Sequence, residues 1–125
     1  MPGVWRFAAA ATAVVMMAAG QAAAHHSSAM FDANRTVTLA GTVRLLQWNS
    51  PHCWLQVLVP SDAGPAEWSI EMAAPFEMMR RGWKPSTVHP GDKITVVANP
   101  ARDGTNGAMF ISATGSDGHA LGQSK

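Results

Sequence analysis

The chain has 125 residues, 47% of them hydrophobic and 14% charged, with nine Lys and Arg against eight Asp and Glu. That length holds one small domain and excludes a TIM barrel, a doubly wound α/β enzyme or a two-domain hinge protein. Removing the first 24 residues takes away Arg6 and leaves eight basic against eight acidic residues, so no nucleic acid partner is expected, because phosphate binding draws on a positive face.

Residues 2–6 (PGVWR) carry one arginine, 7–19 (FAAAATAVVMMAA) are uninterruptedly apolar, and 20–24 (GQAAA) supply small residues before His25. These are the three parts of an export signal, so residues 1–24 are expected to be cleaved and the protein to reach the periplasm or the medium. The apolar run of 13 residues falls short of the ~20 that cross a bilayer core, so no stable membrane span is expected after cleavage. A cut after Ala24 would put an α-amine and an imidazole on His25, with His26 adjacent, an arrangement that suits Cu(II). A cut one residue earlier starts the mature chain Ala-His-His, which can wrap amine, backbone amides and imidazole around Cu(II) or Ni(II). Residues 25–35 read as a lead-in to a barrel at 36–118, and 119–125 as a flexible tail.

From Thr36 the pattern is strand-like, with Val37, Leu39, Gly41, Val43 and Leu45 on one face. The period slips where Leu45 and Leu46 adjoin before Trp48, so the long first strand, about 36–48, is expected to bend or bulge, with Gly41 giving room. Asn49, Ser50 and Pro51 make a turn. The second strand, 52–59, sets Cys53, Leu55, Val57 and Val59 on one face and His52, Trp54, Gln56 and Leu58 on the other. After the turn at 60–65 (PSDAGP), a third strand near 67–72 alternates Trp68, Ile70 and Met72 with Glu67, Ser69 and Glu71. Pro75 suits the first turn of a short helix with Glu77 near its start, and Gly82 closes it. Trp83 is expected to fold back over the core. Residues 92–98 and 109–115 are the last two strands, separated by a long turn rich in Asn, Asp and Gly.

This order predicts an all-β fold, a five-stranded OB-like Greek-key barrel with one short helix between strands 3 and 4. A small β-sandwich is the alternative, but it ordinarily wants about seven strands.

Cys53 is the sole cysteine, which forbids an internal disulfide and points to a buried thiol. The candidate metal ligands are His25, His26 and His52, with copper the metal that imidazole and soft sulfur favour outside the cytoplasm. Against that stands the ordinary place of a histidine beside a proline turn, exposed and unengaged. No enzyme is expected. His52 and Cys53 are strand neighbours pointing to opposite faces. Glu67 and Glu71 share a face but lie roughly 13 Å apart along the chain, too far for a glycosidase pair, and Glu71 reads as a solvated carboxylate. No HExxH, phosphate loop or G-x-S-x-G is present. Arg80, Arg81 and Lys84 read as a solvated helix end. Among the tryptophans, Trp48 and Trp54 are candidate partner-binding residues: exposed together they favour recognition, buried together they favour packing. Barrels of this type also take oligosaccharides and peptides on the face of their middle strands.

The set His25-His26-Ser27, Phe31-Asp32, Val37-Thr38-Leu39 with Gly41-Thr42-Val43, Trp48 leading to Pro51-His52, Trp68 with Glu71, Gly82-Trp83, Pro90-Gly91-Asp92 and Pro100-Ala101-Arg102-Asp103-Gly104 resembles a family of small exported bacterial proteins, the domain-of-unknown-function family 6152. The resemblance spans residues 25–125 and implies an OB-type barrel behind a signal peptide, with no established activity. It also marks His25, His26, His52, Arg102 and Asp103 as positions of interest, the last two as a structured turn available to a partner. This chain departs from the family in having Ser50 where an asparagine usually precedes the proline, and in Cys53, which therefore reads as a packing substitution. The expected role is thus an exported, non-catalytic binding or interaction module, the alternative being a periplasmic copper-binding protein using the N-terminal histidines.

Overall fold

A computed structural model describes residues 29–122 of the chain. Two compact units are distinguished, Met1–Met30 and Phe31–Lys125, and the fold described below belongs to the second. The expected signal segment, with His25 and His26, lies outside the described residues. Among those described, no helix is long and apolar enough to cross a membrane.

Five strands, β1 (Val37–Gln47), β2 (Trp54–Val59), β3 (Ala66–Glu71), β4 (Lys93–Pro100) and β5 (Gly107–Gly115), and one helix, α1 (Pro75–Arg80), follow the expected order. The strands close into a barrel in the order β1-β2-β3-β5-β4. Closure gives every strand a neighbour on both sides, which limits the edge available to template aggregation. β1 serves both halves: Val37 to Thr42 pair with β4, and Thr42 to Gln47 pair with β2. The strand must therefore coil sharply near residue 42, and Gly41 permits it. A Cβ there would collide with the Leu58 carbonyl oxygen and come within 2.9 Å of Val57 Cγ1.

Two bulges set which side chains enter the core. Val43 pairs with Val57 while Leu45 pairs with Gln56, so Arg44 is the extra residue of β1. Val43 is accordingly buried, whereas Leu45, expected on the same inner face, is 37% exposed and Leu46 packs on the core instead. In β5, Val97 pairs with Ser112 and Ala98 with Phe110, leaving Ile111 as the extra residue, turned outward. Each bulge shifts a period-2 strand by one position, exchanging its two faces.

Leu39, Val43, Leu55, Val57, Ile70, Ile94, Val96 and Phe110 fill the barrel, and Cys53 is fully buried among them. Met78 of α1 and Trp83 close over this core, Trp83 meeting Phe110 edge-on at 5.4 Å between ring centres. The arginines of this region are engaged: Arg80 binds Glu77 at 3.2 Å, and Arg81 donates to the Ile111 carbonyl and lies over the Phe110 ring.

Both flanks of the barrel are tied down. Phe31 is buried and bridges to Ala101, and the Asp32 amide donates to the Pro100 carbonyl at 2.9 Å. Residues 119–122, expected in the flexible tail, fold back after the Gly118 turn. Ala120 bridges to Thr114, the Leu121 amide donates to the Ala113 carbonyl, and the Leu121 side chain packs on the core. An apolar residue just past the turn has core surface to cover, and that outweighs the small and polar composition around it.

Candidate ligand-binding groove

The site begins with backbone pairing at the start of β2. The Cys53 amide donates to the Ala73 carbonyl and the Met72 amide to the Cys53 carbonyl, extending the β2–β3 ladder past its last named pair. This fixes Cys53 inward, so its neighbours His52 and Trp54 must face out. Burial pushes the Cys53 thiol above its ordinary value, opposed by a weaker backbone hydrogen bond at Asn49.

The register places Gln47, Trp54 and Glu71 in one row across β1, β2 and β3, and Leu45, Gln56 and Ser69 in the next. Over the first row lies the turn at 48–53, which contains a cis Ser50–Pro51 peptide. His52 Nδ1 lies 2.6 Å from Glu71 Oε1, an ion-pair contact when the imidazole carries its second proton. Glu71, expected as a solvated carboxylate, is instead only 4% exposed. Its neighbours in the sheet, Trp54 and Met109, flank it, and the imidazole closes over it. A buried carboxylate is costly unless hydrogen-bonded. Here the close approach of the His52 imidazole offsets part of that cost, and Glu71 has a further interaction besides. Among the described residues no buried side-chain polar atom lacks a partner.

Above this floor is an open groove of about 480 Å³, lined by Gln47, Asn49, Ser50, Pro51, His52, Trp54, Gln56 and Ser69. The Gln56 amide donates to Gln47 Oε1 at 3.1 Å, pre-orienting two amides beside the indole. On the far side the Ser69 backbone amide donates to the Asn106 carbonyl, so the 101–106 loop stands next to the groove. A larger groove of about 750 Å³ lies over β1, β4 and β5, floored by Ala40 and Gly41. Its only charged lining residue, Lys93, is bonded to Thr42 Oγ1. Size favours this larger groove, but converging polar groups and an aromatic favour the smaller one, and those are what fix a ligand's orientation.

The residues singled out from sequence divide accordingly. His52 and Trp54 line the groove. Trp48 is half-buried and packs on the core, so the two tryptophans do not form one exposed pair. Arg102 and Asp103 lie in the 101–106 loop with separate duties. Arg102 approaches Asp32 at 3.9 Å, tying the loop to the lead-in. Asp103 accepts from the Thr105 hydroxyl and amide, which hold its carboxyl below the ordinary range. His25 and His26 lie outside the described residues, among which no group of three or more His, Cys, Asp or Glu is arranged to hold a metal. Sequence reasoning placed Gln56 on the outward face with Trp54 and missed Glu71, Gln47 and Ser69 as site residues. The signal was available for Glu71: pairing Val59 with Ala66 across the 60–65 turn sets Trp54 opposite Glu71 by counting alone.

A closed five-stranded barrel of this order with a short helix after its third strand is an OB fold. Within that class the chain belongs to the family of unknown function DUF6152, whose model matches residues 11–110. No curated protein sequence matches it. Among solved structures it is similar to the mitochondrial single-stranded DNA binding protein Rim1 from S. cerevisiae. In one crystal form the identity is 11% and the TM-score 0.50, over 73% of this chain and 97% of that one. In a second form the identity is again 11% and the TM-score 0.48, over 71% and 95%. This likeness corrects the exclusion of nucleic acid drawn from charge: the fold is shared with a single-stranded DNA binding protein, and a neutral overall balance does not remove that class of partner.

Proposed function

We propose that this chain is an exported, non-catalytic binding module that holds its ligand in the groove over β1, β2 and β3, between the 48–53 turn and the 101–106 loop. The observation that carries this reading is the convergence of Trp54, the Gln47–Gln56 amide pair and the His52–Glu71 pair on one open face. An indole beside oriented amides suits a ligand with a flat face and a hydrogen-bonding edge, such as a sugar ring or an unstacked nucleobase. Among the described residues His52 in the groove and Glu71 beneath it form one acid–base pair, a role consistent with positioning. The test is nuclear magnetic resonance of the labelled full chain against neutral oligosaccharides, short peptides and single-stranded oligonucleotides. Saturable shifts of the Trp54 indole and the Gln47 and Gln56 amides support the reading, and shifts confined to other surfaces refute it. Export is checked separately by cell fractionation and the intact mass of the mature chain.

A second reading is copper binding by His25, His26 and His52. Its support is Glu71 on His52 Nδ1, since a metal-ligating imidazole ordinarily donates its other nitrogen's proton to a carboxylate or carbonyl. Titration of the mature chain with Cu(II) and Zn(II), beside His25→Ala and His52→Ala, decides it. Affinity no tighter than that of an unstructured peptide, or unchanged in His52→Ala, removes His52 from the site.

A further inference from the structure

We infer that the corner formed by α1 and the β5 bulge docks on an anionic lipid surface, a site separate from the groove.

Two local devices build the apolar part of this corner. Phe76 and Met79 are three apart in α1 and so share a face. Met78, fully buried, turns another face of the helix to the core, which leaves Phe76 70% and Met79 53% exposed. Ile111 joins them from the sheet. As the extra residue of the β5 bulge it points outward, and its carbonyl accepts from Arg81 at 3.2 Å, just past the end of α1. Phe76, Met79 and Ile111 make up most of the large apolar side chains exposed among the described residues. Single exposed apolar side chains are ordinary, whereas a group gathered at one corner marks a contact surface.

The charges decide what it contacts. Residues 75–84 hold three cations, Arg80, Arg81 and Lys84, against one carboxylate, Glu77. Glu77 meets Arg80 at 3.2 Å. Arg81 instead meets a carbonyl oxygen and, at 5.7 Å, the Phe110 ring, partners that carry no net charge and leave its own intact. Lys84 is exposed, just after Trp83 has returned to the core. An apolar tip beside surplus positive charge complements a bilayer of acidic lipids: the hydrocarbon side chains enter the acyl boundary while the long basic ones reach headgroup phosphates. Phosphate alone is shared with a nucleic acid strand. What favours lipid at this corner is that Met79 and Ile111 are aliphatic and offer no ring for a base to stack on. Met78 and Trp83 anchor the segment on the barrel, so little ordering is left to be done on docking.

The test uses the full chain with labelled Met, Ile and Leu methyl groups, and nanodiscs of equal parts phosphatidylglycerol and phosphatidylcholine carrying a spin-labelled lipid. The apolar run at 7–19 can also enter a bilayer and is common to every variant, so the readout is local. The Met79 and Ile111 methyls should broaden well beyond those of Leu45, exposed elsewhere on the barrel, and of buried Met78 and Ile94. That excess should vanish in discs of phosphatidylcholine alone and at high salt. The lipid concentration giving half of it should rise by about tenfold in Phe76→Ser and about fivefold in Lys84→Gln. Both positions are exposed, and unchanged methyl spectra without lipid show that the variants fold. Broadening no greater at Met79 and Ile111 than at Leu45, or an equal excess in neutral discs, overturns the inference. So does a shift of these two methyls with protein concentration alone, which assigns the corner to a second copy of the chain, or with a thymidine oligonucleotide in the absence of lipid, which assigns it to nucleic acid.

Discussion

Trp54 and Glu71 stand directly opposite each other across β2 and β3, and His52 reaches over from the preceding turn to hold the carboxylate at 2.6 Å. The contact ties the 48–53 turn to the sheet, so the shape of the groove depends on it. His52→Ala removes the imidazole from beside a nearly buried carboxylate that has a further interaction besides. Stability should fall by about 1 kcal/mol, near the low end of the cost of an orphaned buried group, read as a lower urea midpoint with an unchanged slope. Glu71→Ala should cost more, because a cavity beside Trp54 is added to the lost bond. Equal midpoints for wild type and His52→Ala would show that the contact holds nothing in place.

Gly41→Ala is expected to be among the most damaging single-atom additions in the chain. The new methyl would overlap backbone of β2, which has no rotamer to escape into. Overpacking of this kind costs about 1–3 kcal/mol, toward the top of that range where the barrel cannot relax. Gly64→Ala is the control: its φ of +99° is strained for alanine but its surroundings are open, so about 1 kcal/mol is expected. Thermal midpoints of the two variants should rank in that order.

The Cys53 thiol is both buried and raised in pKa, and each property suppresses attack, since the thiolate is the reactive form. Ellman's reagent should react with the native chain orders of magnitude more slowly than with the chain in denaturant. Rapid labelling of the folded protein would contradict the inward placement of residue 53 and, with it, the outward one of His52 and Trp54.

Asp103 and Asp117 are held below their ordinary value of 3.8, Asp103 by Thr105 and Asp117 chiefly by the His119 amide. A depressed carboxylate stabilises the fold above its unfolded pKa and loses that contribution as pH falls through the folded one. The acid loss from these turns therefore lies below about pH 4. Asp103→Asn should flatten the fall of the urea midpoint over that window and leave the neutral-pH dependence unchanged. A variant whose flattening appears instead between pH 5 and 7 would place the titrating group elsewhere.

Leu121→Ala should lower stability by about 1 kcal/mol, a half-buried leucine's share of the usual loss, and speed amide exchange in the last turn. If neither changes, the docking of residues 119–122 over the core contributes nothing.

The number and order of the strands were legible because period-2 alternation and turn chemistry are local properties, and Pro75 marked the helix in the same way. The bulge in β1 was visible as a slip between Leu45 and Leu46, but its extra residue was not. Arg44 is chosen by its partner on the other strand, which a single strand cannot reveal, so Leu45 was assigned to the wrong face. The site divides along the same line. His52 and Trp54 follow from the inward pull on Cys53, whereas Glu71 reads as solvated until Trp54, Met109 and the turn are packed around it. Net charge was the weakest guide, since a whole-chain sum says little about which face of a barrel meets a partner.

The barrel is closed by its shortest joint. β3 and β5 run parallel through only three residue pairs, Ser69 with Gly107, Ile70 with Ala108 and Glu71 with Met109, and two of the β3 residues in that joint belong to the groove row and floor. A molecule seated in the groove would lean across the joint like a clasp and slow its breathing. The exchange rate of the Ser69 amide, bonded to Asn106 beside it, therefore offers an occupancy gauge that works before the occupant has been identified.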